Sequence, residues 1–244
     1  MTRRIKAKKG HGIGEVIAKL HPAPLEEFQK MSPSCAGQIE RLLEKYELLV
    51  SLDLSGSVEV DKVLRKTLQR HITEFLTPAA LDIFLTLTIP YENESEYGYI
   101  TSEFLEHLVQ NSYNNGHNDF LFRTCNLTPE LPAFPSNLKG TKDNPLRITV
   151  IGNTGNSLGD DYYVHLTLKG NTEHGFGGNS QHSVYIVNGE INDVNSLAEC
   201  SSFCSYKTPI EETLQKFTQK VPKGQGNTIY RINPDGTETL VRKG

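Results

Sequence analysis

Tryptophan is absent, cysteine is scarce, and no apolar run approaches the ~18 residues needed to cross a bilayer. The first 20 residues also lack the continuous apolar core of a secretion signal. A cytoplasmic protein without membrane contact is therefore expected. The four cysteines, Cys35, Cys125, Cys200 and Cys204, are too few for a disulfide-stapled scaffold, so reduced thiols are expected. Cys200 and Cys204 are spaced like half of a metal site, but the second cysteine pair of a structural zinc site is missing. A metal would have to draw on His165 and His182, with His174 between them; buried or incidental side chains are the simpler reading. No cofactor is expected.

A basic face is lacking too. The net charge of -4 argues against a nucleic-acid binder governed by bulk electrostatics. The exception is local: Arg3, Arg4, Lys6, Lys8 and Lys9 crowd the start of the chain beside Gly10, Gly12 and Gly14. They form either an arm for phosphate or RNA, or a solvated tail.

What is present falls into two halves. After the tail and a His21-Pro22-Ala23-Pro24 linker (residues 1–30), residues 31–126 carry helical patterns. Ser34 would cap a helix over 35–52 with Ile39, Leu42, Leu43, Tyr46, Leu49 and Val50 on one face. Ser55-Gly56-Ser57 breaks it, and a second helix follows over 58–76. Thr77-Pro78 opens a short apolar helix over 79–87. Thr101, with Ile100 and Leu105 as a hydrophobic staple, starts a fourth over 102–113, stopped by Asn114-Asn115-Gly116. Such segments bury their stripes only by packing into a bundle. His71 and His107 lie on or near those stripes and read as satisfied boundary residues.

Residues 127–145 hold Pro129, Pro132, Pro135 and Pro145 and read as a stiff connector. Residues 146–244 begin with the one internal repeat. Ile148-Thr149-Val150-Ile151-Gly152-Asn153-Thr154 aligns with Leu166-Thr167-Leu168-Lys169-Gly170-Asn171-Thr172, and then with Tyr185-Ile186-Val187-Asn188-Gly189-Glu190. The glycines recur after 18 and 19 residues, close to the ~20-residue lower end of solenoid periods. Apolar residues four and two places before each glycine predict strands stacked in parallel. The glycines turn the corner, and Asn153 and Asn171 form a ladder between coils. A second corner follows seven residues later, at Gly159 and Gly177, and Ser196 replaces that glycine in the third coil, as in a capping coil. A helix over 208–220 and a hairpin at Asp235-Gly236 would close the stack.

Gly152-Asn153-Thr154-Gly155-Asn156-Ser157-Leu158-Gly159 is not a phosphate loop. Asp160 and Asp161 stand where a P-loop needs Lys and Ser or Thr, and no helical pattern follows. As Gly-x2-Gly-x3-Gly at a coil period, residues 146–190 resemble the glycine-rich right-handed β-helix of the glutamate synthase large subunit, a domain type also found in formylmethanofuran dehydrogenase. That resemblance implies a structural, subunit-contacting domain with no catalytic residues to carry over. It is complete in the first coil only, since Glu173 stands where Gly155 would recur.

The expected fold is α+β: an N-terminal helical bundle, then a right-handed parallel β-helix of about three coils capped by a helix and a hairpin. The expected role is a non-catalytic scaffold or protein-interaction module that self-associates or binds a protein partner through the β-helix. Two alternatives stand beside it. One is a hydrolase or lyase using Asp160, Asp161, Glu173 and His174 at the coil corners. The other is RNA binding through the basic tail.

Overall fold

The computed structural model describes residues 28, 30–51, 60–125, 127, 131, 134–155, 158–159, 161–173, 176–192 and 201–244. The basic tail (Arg3, Arg4, Lys6, Lys8, Lys9), the Ser55–Ser57 break, Asp160, His174, Ser196 and Cys200 lie outside them. The described residues form a mixed α/β protein with five helices and a seven-stranded, mostly parallel sheet that does not close into a barrel. None of these helices is long and apolar enough to cross a membrane.

Helix α1 spans Pro33–Val50 and buries Ile39, Leu42, Leu43, Tyr46 and Val50, most of the predicted stripe. Its cap is Ser32 rather than Ser34: the Ser32 hydroxyl accepts from the Cys35 N–H, and Pro33 takes the first helical position, where no N–H is needed. Helix α2 spans Val60–His71 and stops short of the predicted Leu76. The chain then runs extended because side chains of a later helix take its carbonyls. Asn111 donates to Ile72 and Glu74, and Ser112 donates to Leu76. Ile72 and Leu76 are buried all the same.

Helix α3 spans Pro78–Thr88, is capped by Thr77, and is buried on nearly every side. Helix α4 spans Tyr97–Asn114, so Thr101 is inside it and not at its cap. The Thr101 hydroxyl instead donates to the Tyr97 carbonyl and meets the Tyr46 hydroxyl at 2.7 Å. The Tyr46 ring is the hub of this layer, edge-on to Phe84, Tyr91 and Phe104 at 5.5–6.0 Å between centroids.

The large sheet contains β1 (Asp119–Arg123), β2 (Leu146–Ile151), β4 (Val164–Lys169), β6 (Val184–Val187), β7 (Ser205–Thr208), β8 (Thr228–Ile232) and β9 (Glu238–Lys243), in that order. All neighbours pair in parallel except β8 with β9. The repeat alignment is the observed register: Ile148 lies beside Leu166 and Leu166 beside Tyr185, while Val150 lies beside Leu168 and Leu168 beside Val187. Those columns are fully buried. The parallel ladder is longer than the three strands predicted, because β1 and β7 join it and β8 extends it. Phe120 and Phe122 continue the columns at one end, Tyr206 and Ile229 at the other.

Two further sides follow β2, β4 and β6. Thr154, Thr172 and Ile191 bridge in parallel on one; Lys139, Tyr162, Gln181 and Ser202 bridge in parallel on the other. Between these lie β3 (Leu158–Gly159) and β5 (Phe176–Gly178), a separate parallel pair.

The first corner is built on close approach. A Cβ on Gly170 would fall 2.1 Å from the Gly152 carbonyl oxygen, and one on Gly189 would fall 2.0 Å from that of Gly170. Asn153 accepts the Asn171 N–H at 3.0 Å and Asn171 accepts the Glu190 N–H at 2.9 Å, so the asparagine ladder bonds side chain to backbone.

One end of the sheet is covered, while the other ends in β9, which is exposed along most of its length. Helix α3 packs on β1, and Asp82 accepts the Arg123 N–H at 2.9 Å. Helix α5 (Glu211–Lys220) lies between β7 and β8 in the chain and buries Leu214 and Phe217 against both, so it is built into the ladder and does not follow it. The β8–β9 hairpin turns at Asp235-Gly236 as predicted and carries a register shift at Ile229/Tyr230 that blunts the outer edge.

Candidate functional site

Among the described residues, chemistry-bearing side chains gather at the corners of the repeats and in a cavity where α4 meets the first of the bridged segments. At the corners, Asp161 is 1% exposed. Its Oδ1 accepts the Leu138 N–H at 3.1 Å and its Oδ2 accepts the Tyr185 hydroxyl at 3.2 Å. Ser180 completes the cluster, its hydroxyl accepting from the Asp161 N–H and lying 2.5 Å from the Tyr185 hydroxyl. Glu173, by contrast, is exposed. One carboxylate therefore turns into the core and the other into solvent, and the structure does not bring the two together.

The suggested metal ligands are similarly dispersed. His165 is half-buried on β4, where burial first, then the nearby Arg147 and Lys207 charges, hold its pKa below the ordinary value. Cys204 is buried, its thiol donating to the carbonyls of Ser180 and Ser202, and burial pushes its pKa up to about 11. Such a thiol is a poor ligand and a poor nucleophile at neutral pH. Among the described residues, no three His, Cys, Asp or Glu side chains are grouped to hold a metal ion.

His182 has a different setting. Tyr163, His182 and Phe203 all adopt left-handed backbone, with φ of 53°, 53° and 55°. Each N–H is taken by a later segment of the chain, at the carbonyls of Gln181, Ser202 and Gln225. The His182 ring is stacked between Tyr163 at 4.9 Å and Phe203 at 5.1 Å, and Tyr162 stands edge-on to both Tyr163 and His182. Left-handed backbone costs a side-chain-bearing residue about 1–2 kcal/mol, and ring pairs return about 0.5–1.5 kcal/mol each. Gly226 ends the column with φ of 73°, where a Cβ would meet the Phe203 ring at 2.6 Å. Phe203 is 60% exposed and Tyr162 40% exposed. The signal for this column was in the sequence: an aromatic or histidine one or two places before each of β4, β6 and β7.

The second place is a cavity of about 300 Å³ between α2, α4 and residues 137–139. Helix α4 contributes Glu103, Glu106, His107 and Gln110, the i, i+3, i+4, i+7 positions of one face. Helix α2 contributes Arg65, Leu68 and Gln69. Arg65 binds Glu103 through both Nε and Nη2, at 2.8 and 2.7 Å. Glu106 is buried, and its Oε1 accepts both the N–H and the hydroxyl of Ser136, at 2.7 and 2.9 Å. Burial, then the Glu103 charge, raise its pKa well above the usual carboxylate range. Gln110 clasps the Lys139 backbone, donating to its carbonyl and accepting its N–H.

His107 Nε2 lies 2.7 Å from the Ile72 carbonyl, which can only accept, so Nε2 carries a proton. The expectation of a satisfied boundary residue holds for His107 in that respect, while His71 is exposed. The polar face of α4 was readable as Glu103-x2-Glu106-His107-x2-Gln110, but it is interleaved with the apolar residues of a much stronger core stripe.

Compared with protein-family models, curated proteins and solved structures, the chain matches none.

Proposed function

We propose that the protein is a non-catalytic scaffold or protein-interaction module built on a short right-handed parallel β-helix. Three features support the coil architecture. The parallel strands follow chain order, most of their connections contain no helix among the described residues, and two further sides bridge in parallel at the same intervals as the strands. Right-handedness follows the rule for parallel crossovers.

The observation that carries the functional reading is the ring column at Tyr162, Tyr163, His182 and Phe203, in which Tyr162 and Phe203 are exposed and Tyr163 and His182 half-buried. The structure accepts left-handed backbone at three ring-bearing positions to keep these groups on the outside of a rigid wall. Exposed aromatics on a preorganised surface are the anchors that protein interfaces use, since they bury large area at low entropy cost. The column runs along the wall of the stacked strands and not at either edge of the sheet, so association through it is side by side, between two copies of the chain.

The hydrolase or lyase alternative has weaker support at the coil corners, because both Asp161 oxygens are engaged by Leu138 and Tyr185. RNA binding through the tail draws no support from the described residues.

Size-exclusion chromatography with light scattering tests the reading. A dimer that becomes a monomer in a Tyr162→Ser/Phe203→Ser variant supports it. A species of 27.3 kDa at every concentration, for the unaltered chain, removes self-association.

A further inference from the structure

The cover that α3 gives β1 leaves a groove between the two. We propose that this groove takes an extended segment of a partner protein, added to the sheet as a further strand antiparallel to β1. The surface is separate from the ring column, and neither reading rests on the other.

Backbone geometry names the class of partner. Strands β1 and β2 are parallel, with Asp119 beside Arg147 and Arg123 beside Ile151. The Arg147 N–H donates to the Asn118 carbonyl, and the Thr124 N–H donates to the Ile151 carbonyl. Phe120 and Phe122, which alternate with them, therefore turn their N–H and C=O groups toward β2, while Asp119, Leu121 and Arg123 turn theirs outward. Asp82 of α3 takes the Arg123 N–H at 2.9 Å. Among the described residues nothing takes the backbone N–H or C=O of Asp119 or Leu121. A donor and an acceptor on every second residue of an edge strand are matched by another extended backbone. Antiparallel pairing is the more stable arrangement per residue.

The side chains suit the same occupant. The groove has a volume of about 660 Å³, mid-range for a ligand site. Met31, Pro78, Ala79, Ile83 and Leu121 give it an apolar lining. Directly opposed residues of an antiparallel pair point to the same face, so the partner residue opposite Leu121 is apolar and enters that lining. The residue two places after it lies opposite Asp119. Asp119 is exposed and has no ion pair among the described residues, so Lys or Arg is favoured there. At the other end Asp82 and Arg123 hold each other and close the ladder. Residues 30–31, α3 and β1 all line the groove, so it admits a single chain rather than the edge of a second sheet. That argues for a partner segment over β9 of another copy.

The probe is the peptide Ac-Thr-Val-Thr-Lys-Thr-NH₂, titrated into the full chain and followed by backbone amide NMR. Saturable shifts are expected at residues 78–83 and 119–123, with slowed hydrogen exchange at the Asp119 and Leu121 amides. N-methylvaline in the peptide removes the donor to the Leu121 carbonyl and should weaken binding about tenfold, whereas a purely side-chain contact would tolerate it. Asp119→Lys, shown to be folded by circular dichroism, should favour Ac-Thr-Val-Thr-Glu-Thr-NH₂ over the lysine peptide by about threefold. No saturable shift in the groove overturns the proposal, as does unchanged Leu121 exchange at saturation. Equal affinity for the N-methylated peptide overturns strand addition, and an unaltered preference in Asp119→Lys overturns the antiparallel register. Protection of the Leu121 amide that grows with protein concentration in the absence of peptide gives the groove to a second copy and overturns the partner assignment.

Discussion

Gly170 lies directly against Gly152, so close that the Gly152 carbonyl oxygen occupies the place a Cβ on Gly170 would need. The carbonyl is backbone and cannot rotate away, so the whole corner must shift to admit a methyl group. Gly170→Ala should destabilise by about 3 kcal/mol or more, the upper range for overpacking. Gly37→Ala is the control. Gly37 is in α1, and a Cβ there meets only the tip of Arg41, so about 0.5–1 kcal/mol of stabilisation is expected from helix propensity. Urea unfolding of the two variants measures both signs.

Asn153 and Asn171 act through their side-chain oxygens, each accepting an N–H from the next coil. An acceptor is all that position requires. Asn153→Asp should therefore remain within about 0.5 kcal/mol of the unaltered chain, whereas Asn153→Ala should lose about 1 kcal/mol, the net worth of one such bond. Equal losses in both variants would show that the amide N–H₂ matters, contrary to the geometry.

Asp161 and Glu173 looked alike in the sequence, as acids near coil corners, and differ entirely in the fold. Asp161→Ala strands the Leu138 N–H and the Tyr185 hydroxyl in the core and should cost about 3 kcal/mol. Glu173→Ala removes an exposed side chain and should change stability by no more than about 0.5 kcal/mol. Thermal unfolding at neutral pH distinguishes them.

Residues that repeat were legible; residues that do not were missed. Ile148, Leu166 and Tyr185 could be placed in one column from spacing alone, because apolar alternation ahead of a recurring glycine has one physical meaning. Strands β1 and β7 carry neither the glycine nor the asparagine, so Phe120 and Tyr206 gave no repeat signal even though they extend the same columns. Helix ends failed where another element intervened. Asn111 and Ser112 end the helical path near Ile72 by taking carbonyls from 36 to 39 residues away, a contact that local pattern cannot contain. The cavity was hidden for the same reason: Glu106 becomes unusual only when Ser136 and Asp161 arrive beside it.

Glu106 also sets how stability depends on pH. Its folded-state pKa is raised above the unfolded value of about 4.3, so above that pH the unfolded chain gives up a proton the folded chain keeps. The stability linked to this group is fully present below the unfolded pKa and is lost as pH rises toward the folded one. Across that window the loss is about 1.4 kcal/mol for each pH unit, and it stops once the folded-state carboxyl ionises. Glu106→Gln has no proton to release. Its denaturation midpoint should match that of the unaltered chain near pH 4 and pull ahead as pH rises to 8. A constant gap across that range would mean that Glu106 is ionised in the fold.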